Sequence, residues 1–192
     1  MAEGPTKAPP GGVATGKSPS RCLTMVQDVD LFLAIAEIAG VFVGFGALIS
    51  FTRRTEVQAV QLGQIRAVVT IGLVVIVAAL LPVGLSRYGV GGHGLWFTSS
   101  LIFLALVWAV TILSLRRPEN RQIVMAQTRE SPATIAFFWL LLELPIQVPL
   151  VLTVLGLFPD LEPGFYTTAL VFHLFQAAFV LARLVYWQAR EM

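Results

Sequence analysis

Glu37, Glu143 and His173 are each the only ionisable residue in an otherwise apolar run: AIAEIAG, LLLELPIQVP and VFHLFQAAF. A titratable group in such a run is expensive. It points either to a path for a proton, an ion or a small solute, or to a polar contact that holds two helices together. Gln147 follows Glu143 by four residues and Gln176 follows His173 by three, so each pair shares one face of a helix. At ~1.5 Å per residue in a ~30 Å apolar layer, Glu37 lies roughly 9 Å, His173 roughly 12 Å and Glu143 roughly 15 Å from the same edge. If the helices that carry them are neighbours, Glu37, Glu143, Gln147, His173 and Gln176 form one buried polar cluster, where desolvation favours the uncharged forms and a proton could pass. The plainer alternative is interhelical hydrogen bonding, worth ~0.6 kcal/mol on average in membranes. Arg183, two turns after Gln176, either continues this stripe or snorkels to the headgroups.

Two further patterns concern backbone. Pro145 and Pro149 flank Gln147, and each removes a helical donor and clashes with the carbonyl four residues earlier, so a kink or break is expected there. Ala36, Gly40 and Gly44 recur every fourth residue with Gly46 beyond, which predicts a helix face that another backbone can approach closely. Glu37 borders that face, so it is expected against protein rather than lipid.

The elements that must position these groups are membrane helices. The chain of 192 residues is 56% hydrophobic and 12% charged, about half the charge of an ordinary soluble domain. Its mean hydropathy is +0.79. Five apolar runs, 31–51, 67–85, 95–115, 133–158 and 165–186, approach or exceed the ~20 residues a spanning helix needs. The fold expected is therefore an all-α integral membrane protein, a bundle of about five transmembrane helices over residues 28–192. Residues 1–27 form a tail; its first 21 hold four prolines and four glycines and almost nothing to bury, which predicts disorder. The tail makes a poor signal peptide, because its apolar run starts late and is too long, so the first span is expected to be retained. The acidic connection with Asp160 and Glu162, Tyr88, Trp96 and Tyr166 are expected at one membrane boundary, Tyr186 and Trp187 at the other.

Basic residues divide nine (Arg53, Arg54, Arg66, Arg116, Arg117, Arg121, Arg129, Arg183, Arg190) to four (Lys7, Lys17, Arg21, Arg87) between the two sides. The richer side is expected to be cytoplasmic, which leaves the N-terminus outside and the C-terminus inside. The short chain with brief loops is similar in habit to small bacterial inner-membrane proteins, so a multi-pass inner-membrane location is expected.

One cysteine, Cys22, and two histidines, His93 and His173, support no disulfide framework or cysteine-rich zinc site. No metal or cofactor is expected; a haem held between His93 and His173 would rest on one loop and one helix histidine. The net charge of +2 is spread over helix ends, as topology requires, and does not point to nucleic acid. No phosphate-cradling glycine loop, His-Glu-x-x-His helix or Gly-x-Ser-x-Gly elbow is present, and no internal repeat suggests a large carrier. The leading expectation is a proton, ion or small-solute pathway. The alternative is a non-enzymatic assembly or accessory subunit that binds a membrane-protein partner or a second copy through the small-residue face. A membrane enzyme acting on a lipid or quinone is the weakest reading. The bilayer is a partner in every case.

Overall fold

The computed structural model describes residues 20–52, 59–116 and 132–190, which form five helices. They are α1 (Ser20–Thr52), α2 (Ala59–Arg87), α3 (His93–Arg116), α4 (Pro132–Leu155) and α5 (Glu162–Arg190), with a single 3-10 turn, Pro159–Leu161, ahead of α5. No strand occurs among the described residues. Four stretches are long and apolar enough to cross a bilayer: Val29–Ile49, Gly63–Arg87, His93–Arg116 and Pro159–Arg183. In the fifth helix, α4, the described side chains add a shorter apolar stretch, Leu140–Leu155. The chain is an all-α, multi-pass integral membrane protein.

Most of the tail expected to be disordered, residues 1–19, lies outside the described residues, as do Arg53, Arg54, Arg117, Arg121 and Arg129. The helix itself begins at Ser20, ahead of the first apolar run.

α5 is the hub. It packs against α4 and α2 and touches α1 and α3, while α1 lies mainly on α2, and α4 is held by α3 and α5. Its buried positions, Glu162, Tyr166, Ala169, Leu170, His173 and Ala177, recur at three- and four-residue spacing and form one inward stripe. Buried alanines supply the close approaches elsewhere: Ala39 on α1, Ala78 and Ala79 on α2. Lipid tails are as apolar as leucine, so association rests on such close packing, and many large side chains, Leu73 and Val77 of α2 among them, can stay on the outside at no cost. Gly72 is the tightest point, where an added Cβ would come within 2.6 Å of Val43 on α1; at Gly46 it would come within 2.9 Å of Val69 on α2.

A backbone carbonyl freed by a proline in α2 finds a side-chain partner. Pro82 lies inside α2 and has no N–H to give to the carbonyl of Ala78, four residues back. The Tyr166 hydroxyl donates to that carbonyl at 2.6 Å. Tyr166 is therefore buried in the core of the bundle, where the freed carbonyl lies. Around it Phe32, Trp96 and Phe103 contribute rings with centroids 5.8 to 6.1 Å away. In α4 the helix runs unbroken through Pro145 and Pro149, so of the kink or break expected there no break occurs. Thr153, one turn on, returns its hydroxyl to the Pro149 carbonyl at 3.0 Å. The helix ends instead at Gly156, whose φ of +64° is the left-handed cap conformation.

Candidate functional site

The middle of the bundle carries a polar cluster between α4 and α5. Glu143 is half-buried, twelve residues before the end of α4, hence about 18 Å from that end. Gln176 on α5 donates its Nε2 to Glu143 Oε1 at 3.1 Å, and Gln147, one turn along α4, directs its Nε2 to Oε2 at 3.4 Å. Each carboxylate oxygen thus faces an amide donor, and the shorter contact ties the two helices together. His173, one turn from Gln176 on the same face, is buried, with its ring edge-on to Phe103 of α3 at 5.6 Å. Its Nδ1 and the Gln176 Oε1 are buried with no hydrogen-bond partner among the described residues. Ser99 and Ser100, fully buried on α3 three and four residues before Phe103, also have hydroxyls without a hydrogen-bond partner there. Buried polar atoms with unmet bonding capacity suit water, a polar solute or a transient proton.

Four of the five residues expected to cluster, Glu143, Gln147, His173 and Gln176, therefore come together. Glu37 does not, because α1 and α4 form no extended contact and the Glu37 side chain is exposed on the outer face of α1. The expected small-residue face splits in the same way. Ala36 packs against the core and Gly46 against α2, while an added Cβ at Gly40 or Gly44 would meet nothing within 4 Å. Arg183 is exposed, as a snorkelling side chain would be.

A second polar pair lies at the end of the bundle that holds the 88–92 connection. Glu162 is not a loop residue: it opens α5 with 1% exposure, and His93, at the start of α3, places Nδ1 2.5 Å from its Oε1. His93 is 52% exposed on the other side. Its ring also lies over Gly156, where a Cβ would come within 3.1 Å of it. One imidazole thus joins α3, the cap of α4 and the start of α5. Glu162 Oε2 is buried without a partner among the described residues. Glu162 precedes His173 by eleven residues, roughly 16 Å along α5, which separates the two histidines too widely to hold one haem. Among the described residues no three metal-binding side chains converge.

Sequence reasoning missed the His93–Glu162 pair, the two serines and the Tyr166–Ala78 bond. The serine pair inside an apolar helix was a visible signal; the other two join segments 69 and 88 residues apart. No protein-family model, curated protein or solved structure matches this chain.

Proposed function

We propose that the protein conducts a proton, or a small cation or solute that moves with one, through the α3–α4–α5 side of the bundle, with Glu143 as the central exchanging group. The observation that carries this reading is the Glu143 carboxylate at mid-helix, faced by Gln147 and Gln176, beside the unpartnered His173 Nδ1 and Gln176 Oε1. A group kept only as interhelical glue needs its partners satisfied, whereas the unmet capacity of His173 Nδ1 and Gln176 Oε1 leaves room for a changing hydrogen-bond pattern. Once Glu143 takes a proton it becomes a donor, and rotation of the Gln176 amide would offer Oε1 as its acceptor. The same two side chains can then hold either protonation state, which a relay requires. Both glutamines face the carboxylate with donors, which suits a proton or a solute better than a bare metal ion needing several oxygen ligands.

In this reading the arginine-rich side is cytoplasmic, the N-terminus is outside, and the protein resides in a cell or inner membrane. The second reading, an accessory or assembly subunit, draws its support from the open face of α1 around Glu37.

The test is flux driven by a pH gradient into liposomes holding wild-type protein, Glu143→Gln protein of matched unfolding midpoint, or no protein. Flux in the wild type that falls at least about tenfold in Glu143→Gln supports the pathway. Flux unchanged by the substitution removes Glu143 from the mechanism, and wild-type liposomes no leakier than empty ones overturn the reading.

A further inference from the structure

A row of buried polar atoms runs down the seam between α3 and α5. The two helices lie side by side in the same direction: His93 meets Glu162 where they start, and Phe103, ten residues on, meets His173, eleven residues on. Trp96 and Phe103 both lie against Tyr166, so this face of α3 is turned to α5, and Ser99 and Ser100, three or four residues from each ring, belong to it. Measured from the His93–Glu162 end, the serines are roughly 10 Å in, His173 roughly 16 Å and Gln176 roughly 21 Å. Along this row Glu162 Oε2, both serine hydroxyls, His173 Nδ1 and Gln176 Oε1 are buried without a hydrogen-bond partner among the described residues. All such side-chain atoms among the described residues fall on these two helices. Neighbouring groups cannot serve them: the Tyr166 hydroxyl is committed to the Ala78 carbonyl, and His93 meets only the other oxygen of Glu162. α3 packs mainly on α2 and α4 and only touches α5, so this seam is held less closely than those α5 makes with α2 and α4.

We infer that water enters the bundle beside His93 and Glu162 and occupies the α3–α5 seam as far as Gln176, so that Glu143 is reached from the end that holds the 88–92 connection. Chemistry selects the ligand. The row offers acceptors at Glu162 and Gln176, hydroxyls that both donate and accept at the serines, and an imidazole nitrogen that does either; water alone matches all of them, and it can repeat along a row. A metal ion needs several oxygens converging on one point, whereas these atoms are strung out along the helix axes. Native interiors hold few buried polar atoms without a partner, and internal water is what commonly meets them. The mouth is set by His93, half of whose side chain is exposed while Glu162 behind it is buried. That this water serves Glu143 rests on the pathway proposed above; that the seam is hydrated does not.

The chain has two histidines, one at the mouth and one deep in the seam, so wild-type protein labelled with 15N-histidine carries its own control. In lipid, magnetisation passed from water to the imidazoles, at mixing times too short for relay through the protein, should reach His173 as well as His93. Ser99→Ala with Ser100→Ala should slow transfer to His173 about threefold or more, because buried water is held by two to four polar partners. Transfer to His93 alone, or transfer to His173 unaffected by losing both hydroxyls, would overturn the inference. A second measurement places the mouth. With Cys22→Ser, silver ion added on the side of the 88–92 connection should react with Ser100→Cys at least about tenfold faster than with Val75→Cys in the apolar core of α2, since a thiol without water is inert; equal rates would overturn the assignment. Flux separates the two readings: a dry His173 in protein whose flux still depends on Glu143 sinks the hydrated seam and spares the pathway, whereas a hydrated seam without flux upholds the seam and sinks the pathway.

Discussion

Tyr166→Phe tests whether a side chain on one helix replaces the backbone donor that a proline removed from another. The substitution keeps the ring, and with it the contacts to Phe32, Trp96 and Phe103, and deletes only the hydroxyl that donates to the Ala78 carbonyl. Hydrogen bonds between membrane helices average ~0.6 kcal/mol and reach ~1.7 kcal/mol. This one lies at the upper end, because Pro82 leaves the carbonyl without its helical donor, and a buried acceptor without a partner costs ~1–3 kcal/mol. The expected loss is therefore about 1–2 kcal/mol. Pro82→Ala supplies an N–H to the same carbonyl, so in that background Tyr166→Phe should cost less than about 0.5 kcal/mol, a coupling of roughly 1 kcal/mol. Reversible unfolding of the four proteins in mixed micelles, followed by helical circular dichroism against the mole fraction of denaturing detergent, gives the cycle. Equal costs in the two backgrounds, or no cost in the wild type, would refute the reasoning.

At the end of the bundle, His93→Ala should destabilise the fold by ~1–3 kcal/mol, since it leaves the buried Glu162 carboxylate unpaired. His93→Ala combined with Glu162→Leu should cost less than the sum of the single changes, measured by the same titration. At the α1–α2 seam, Gly72→Ala should lower stability by ~1–3 kcal/mol, because its Cβ would press on the stiff Val43 side chain; a Gly72→Ala protein as stable as wild type would show that the helices are packed more loosely.

Much of the fold was legible in the residues themselves. Length and apolarity give the helices, and the spacing of Glu143 with Gln147 and of His173 with Gln176 fixes two pairs on helix faces before any neighbour is known. Which helix those faces meet was not legible. In water an apolar stripe tells the inside of a helix from its outside, but in a bilayer both sides are apolar, and the buried side, which holds Phe103, Ile146 and Leu150 as well as Ala39, Ala78 and Ala177, is not set apart by its apolarity. Gly40 and Gly44 are small residues on a face that the chain's own helices leave open, and Glu37 goes with them. Tertiary structure alone decided that α5 is the hub, that Glu143 meets Gln176 while Glu37 stays outside, and that Tyr166 reaches the carbonyl freed by Pro82. Each is a contact between segments far apart in the chain, and side-chain types along one helix cannot specify the partner helix when the solvent is as apolar as the core.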